Sequence, residues 1–93
     1  MSMSDAESRL LEGTHLEPIP EKFRVDRQLF EQFEKRGWEM FARHQLRPNT
    51  HKFRIVRFID DETVDTVRVK PEGGRYTLQT KYLRRIPRKR AKS

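Results

Sequence analysis

Between residues 52 and 83 the chain alternates apolar with polar residues in three short runs, and this period of two limits the fold more than any other feature. The runs are Lys52-Phe53-Arg54-Ile55-Val56-Arg57-Phe58-Ile59, Val64-Asp65-Thr66-Val67-Arg68-Val69-Lys70 and Arg75-Tyr76-Thr77-Leu78-Gln79-Thr80-Lys81-Tyr82. Such spacing predicts strands with an apolar face turned inward and Arg and Lys turned to solvent. Asp60-Asp61-Glu62 reads as the first connecting turn and Pro71-Glu72-Gly73-Gly74 as the second, giving an antiparallel meander. In the first run the apolar phase changes, since Phe53 and Ile55 share one face while Val56 and Phe58 share the other. A bulge near Ile55-Val56 reconciles them and bends the sheet.

A helix precedes the meander. Asp26 has the chemistry of an N-cap, and Val25 and Phe30 have the spacing of a hydrophobic staple. From there Leu29, Phe30, Phe33, Gly37, Met40, Phe41 and His44 fall in one stripe of a helical wheel, with Trp38 at its edge. Gly37 allows a different reading, in which the helix stops at Arg36 and Trp38–Arg43 becomes a strand. The stripe stays in phase as far as Phe41, so the spacing favours one long helix. Pro48 closes it, because the residue before proline is pushed out of helical geometry.

The expected architecture is therefore α+β: one amphipathic helix packed on a small, strongly bent, three- to four-stranded antiparallel sheet. Residues 1–20 are expected to form a flexible acidic arm, 21–86 a single domain and 87–93 a basic tail. The bent meander ending in Tyr82-Leu83-Arg84-Arg85-Ile86-Pro87 resembles the small SH3-like barrels of Tudor and KOW modules. The resemblance covers about 35 residues and rests on strand spacing with no diagnostic motif, so it implies a fold to look for and carries over no functional residues.

Composition limits what such a domain can do. In 93 residues, 33% are hydrophobic and 38% charged, so the core is small and leans on six Phe, two Tyr and one Trp. There is no cysteine, which removes disulfides and Cys-based zinc sites. No apolar run is long enough to span a bilayer, and the first residues lack the pattern of a signal peptide. The expected setting is a soluble, cytoplasmic protein with no membrane partner.

The net charge of +7 is unevenly distributed. Residues 1–20 carry one Arg against four acids, whereas residues 51–93 carry thirteen basic residues against five acids. This asymmetry points to a polyanion. The candidate contacts are Arg54, Arg57, Arg68, Lys70, Arg75, Lys81, Arg84, Arg85, Arg88, Lys89 and Arg90, each as a phosphate-neutralising group. On the expected pleat Arg54, Arg68 and Lys70 turn away from the Val67/Val69 face or sit at its margin, and Arg75 and Lys81 turn away from the Tyr76/Leu78 face. Tyr76 and Phe58 read as core, while Trp38 and Tyr82 sit at pattern edges and are the candidates for stacking or anchoring.

Catalytic signatures are missing: the sequence has no phosphate-binding Gly-rich loop, no Gly-x-Ser-x-Gly and no His-Glu-x-x-His. His15, His44 and His51 have no spacing that demands a metal, and no cofactor is implied. The sequence thus points to a non-catalytic module binding DNA or RNA through a basic sheet face and tail. The alternative is an adaptor or inhibitor that docks on an acidic protein surface. An exposed edge strand also offers a route to a homodimer.

Overall fold

The computed structural model describes residues 16–87. A 3-10 turn (Glu21–Phe23) leads into helix α1 (Arg27–Lys35). Strands β1 (Phe41–His44), β2 (Lys52–Asp60), β3 (Thr63–Lys70) and β4 (Glu72–Gln79) follow, then a second 3-10 turn (Thr80–Tyr82) and strand β5 (Leu83–Arg85). All neighbouring strands pair antiparallel in one sheet of order β4-β3-β2-β1-β5.

Helix α1 starts as its sequence demands. The Leu29 N–H donates to Asp26 Oδ2 at 2.9 Å, satisfying one of the open donors of the first turn. Val25 and Phe30 are both buried in the core. The long helix is not formed, however. Gly37 has φ +72°, its N–H donates to the Glu34 carbonyl at 3.0 Å, and the Trp38 N–H donates to the Phe33 carbonyl at 2.9 Å. This pair of bonds is the Schellman ending, and its usual apolar contact is present: the Phe33 and Trp38 rings meet edge to face with centroids 5.5 Å apart. Beyond it the chain runs extended, so that Met40, Ala42 and His44 alternate into the core while Phe41 and Arg43 point to the other face. The in-phase stripe up to Phe41 was two different periods placed end to end.

The sheet therefore has five strands instead of three or four, β1 and β5 being added to the meander. The bulge in β2 is present: the register with β3 shifts between Ile55 and Arg57. Phe53 and Ile55 are buried, Val56 is turned out, and Phe58 returns to the core side to pack on Phe30 with ring centroids 5.5 Å apart. In β3 the phase is opposite to the one expected. Val64 and Thr66, not Val67 and Val69, face the core, because they lie directly opposite Leu78 and Tyr76. Thr66 is tolerated there since its Oγ1 donates to the Tyr76 carbonyl at 3.0 Å.

Further register shifts accompany the bend, and in the β3–β4 ladder Gly73 and Gly74 take up the slack between Glu72 and Arg75. Gly74 has φ +92°, and a Cβ there would lie 3.2 Å from the Tyr76 ring. Although the sheet is curved, it does not close as an SH3-like barrel: β4 and β5 stand at opposite ends of the pairing order. The β5 side is covered by the chain before α1, where Arg24 bridges Arg84 and the Ile19 N–H donates to the Lys81 carbonyl at 2.8 Å. Ile19, placed in the N-terminal arm by its sequence position, is thus buried against the domain. The β4 side is the open edge among the described residues.

Candidate nucleic-acid interface

One face of the sheet carries α1 and the core; the other carries most of the cations on the strands. Antiparallel pairing places partner side chains side by side on the same face, so the register assigns each cation to a row. Arg84 on β5 opposes Arg43 on β1, and Lys52 on β2 opposes Lys70 on β3. The β1–β2 register pairs Ala42 with Phe53. Carried on by one residue, it sets Arg43 opposite Lys52. Arg84, Arg43, Lys52 and Lys70 thus form a row across four strands, about 14 Å long at the usual strand spacing. Beyond Arg84 the row is prolonged by its bridge partner Arg24, whose Nε donates to the Ile19 carbonyl at 2.6 Å.

No residue of this row forms an ion pair among the described residues. Directly opposed like charges destabilise a sheet, and this row contains two such pairs confirmed by register. The Lys52 ammonium lies 4.6 Å from the centre of the Phe41 ring, and the Arg84 guanidinium 4.8 Å from that of Phe23. These contacts hold the stems in place and leave the charges unneutralised.

A second row runs beside the first, about 7 Å further along the strands. Phe41 opposes Arg54, Arg54 opposes Val67, and Val67 opposes Arg75. Apolar and cationic side chains alternate here, and among the described residues only Arg54 of this row forms an ion pair, with Glu39 at 4.0 Å. The third row is neutralised: Arg57 opposes Asp65 with Nε to Oδ2 3.0 Å, and Thr77 Oγ1 donates to the same carboxylate at 3.1 Å.

The candidates named from sequence therefore divide. Lys70 and Arg84 belong to the unpaired row, and Arg54 and Arg75 to the row beside it. Arg57 is spent on Asp65. Arg68 lies on the core face opposite Phe53, where Nη1 donates to the Tyr76 hydroxyl at 2.7 Å and Nε to the Pro71 carbonyl at 2.8 Å. Arg85 opposes Ala42 on that same inner side, with Nη1 donating to the Arg24 carbonyl at 2.7 Å. Arg68 and Arg85 are structural clamps. Lys81 sits in the second 3-10 turn with its ammonium 5.2 Å from the Tyr82 ring centre. Arg88, Lys89 and Arg90 lie outside the described residues.

Of the two aromatic candidates, Tyr82 is not available: it is 8% exposed and packs against His44. Trp38 is half-buried and lines an open recess of about 630 Å³ with Phe41, Glu39, Lys52, Ile86 and Pro87. That recess opens beside the two cationic rows. Sequence reasoning missed Arg24, Arg43 and Lys52. Arg43 was hidden by the helical reading of residues 38–44; with Gly37 taken as a helix stop, the alternation Met40-Phe41-Ala42-Arg43-His44 would have turned it outward.

His44 takes no part in the interface. It is buried at the core face, and the Leu46 N–H donates to its Nδ1 at 3.0 Å. Burial, aided by the nearby His51, lowers its pKa to about 4. Among the described residues no three His, Cys, Asp or Glu side chains cluster to hold a metal ion. No described helix is long and apolar enough to cross a membrane. Comparison with known proteins returns no matching family model, no matching curated protein and no matching solved structure.

Proposed function

We propose that this protein is a non-catalytic nucleic-acid-binding module that holds the phosphate backbone along the row Arg84–Arg43–Lys52–Lys70. The observation that carries the reading is that row itself. Four aligned cations, with like charges directly opposed and no ion pair to offset them among the described residues, cost the fold stability that a bound polyanion returns. Arg54 and Arg75 lie close enough to add contacts, and Arg88, Lys89, Arg90 and Lys92 add further positive charge. Phosphate contacts position a polymer without reading its sequence, so binding is expected to be largely non-specific.

The test is fluorescence anisotropy of labelled DNA and RNA oligonucleotides, single- and double-stranded, at 50 and 200 mM salt. Four phosphate contacts predict that affinity falls roughly 50- to 150-fold over this range. Affinity indifferent to salt contradicts the proposal. So does the absence of binding to any of the probes, and stoichiometric capture of one acidic protein would then favour a docking role on protein.

A further inference from the structure

Resting on that reading, we infer that the polymer is single-stranded and crosses the sheet perpendicular to the strands, its phosphates on the row Arg84–Arg43–Lys52–Lys70 and its bases on the row beside it. The two rows differ in chemistry. The first contains only cations, whereas the second alternates Phe41 and Val67 with the planar guanidinium groups of Arg54 and Arg75. Phe41 and Val67 are half-buried, and a surface built only to attract phosphate has no use for such partly open apolar groups between its cations. Unstacked bases do, because their faces pack on aromatic rings and guanidinium planes. A duplex keeps its bases stacked inside and presents phosphates to both rows.

The recess at one end of the second row is consistent with this. Its walls are the rings of Trp38 and Phe41 with Ile86 and Pro87, and Lys52 lies over the Phe41 ring toward the phosphate row. Glu39 is the one carboxylate there among the described residues. It repels phosphate, yet a carboxylate accepts hydrogen bonds from the exocyclic amino groups of bases. Apolar walls, a cation on the phosphate side and an acceptor at the rim suit a nucleobase better than a phosphate. A base in the recess would contact Trp38, the single tryptophan of the chain, so its fluorescence reports on occupancy.

The experiment titrates the 93-residue chain with three probes of equal length, about 12 nucleotides. They are a single-stranded oligonucleotide, an abasic strand with the same phosphates, and the duplex. The single strand is expected to quench Trp38 and to bind roughly five-fold or more tighter than the abasic strand, the equivalent of one stacked base. Phe41→Leu should weaken binding of the single strand more than binding of the abasic strand. Equal affinity with and without bases, or a preference for the duplex, overturns the inference while leaving the charge reading intact. Failure to bind all three removes both. The wild-type comparison decides the matter even where the Phe41 variant folds poorly.

Discussion

Gly37 decides more of this structure than any other residue. With φ at +72° it ends α1 and frees the next residues to form β1, which brings Arg43 to the outer face. A Cβ at this position meets open space, so the cost of adding one is conformational and not steric. Gly37→Ala is expected to destabilise the fold by about 1 kcal/mol, read as a lowered midpoint in urea with unchanged slope; no loss would show that the helix end is held by its neighbours alone. His44 sets the pH response. Its folded pKa of about 4 lies below the ordinary 6.5, so the unfolded chain takes up the proton first. The stabilisation is complete above pH 6.5 and is lost as pH falls toward 4, by up to about 3 kcal/mol. Chemical denaturation at pH 7 and pH 5 should show the drop, and His44→Gln should flatten it. Equal stability of the wild type at the two pH values would contradict the burial of a neutral imidazole.

Strand register separates cations that look alike in sequence. The Asp26 cap, the bulge after Ile55, the first turn and the burial of Tyr76 were legible, because each rests on local chemistry or on a short periodic run; the second turn was not, since only Pro71 lies between the strands and Glu72, Gly73 and Gly74 belong to β4. The helix end was less so: Gly37 announced it, but Phe41 continued the apolar stripe by coincidence. The phase of β3 was not legible at all. Val64-Asp65-Thr66-Val67-Arg68-Val69 alternates almost equally well on either face, and only pairing with Leu78 and Tyr76 on β4 selects Val64 and Thr66 for the core. That choice turns Arg68 inward as a clamp on Tyr76. The like-charge pairs of the outer row make a prediction of their own. Lys70→Glu opposite Lys52 should stabilise the sheet by roughly 0.2–1 kcal/mol while weakening oligonucleotide binding. Thermal melts and anisotropy on one sample check both signs. A variant that binds less and is also less stable would mean that the Lys52–Lys70 pair is not under repulsion.

At the scale of the whole molecule, the described basic residues of the second half do not form one uniform patch. Folding spends Arg57 on Asp65, tucks Arg68 and Arg85 into the inner side, and recruits Arg43 and Lys52 into a line with Arg84 and Lys70. Net charge alone would make every surface cation equivalent, whereas a phosphate track set by strand register makes position decisive. The direct test compares two triple variants of equal charge, each confirmed as folded by circular dichroism. One is Arg43→Gln/Lys70→Gln/Arg84→Gln on the row, and the other is Arg27→Gln/Lys35→Gln/Arg47→Gln away from it. The measurement is the slope of log affinity against log salt for a single-stranded oligonucleotide. Loss of three row contacts should reduce the slope by about 2, at roughly 0.7 per phosphate, and the control should keep the wild-type slope. Equal slopes in the two variants would contradict a phosphate track along Arg84–Arg43–Lys52–Lys70.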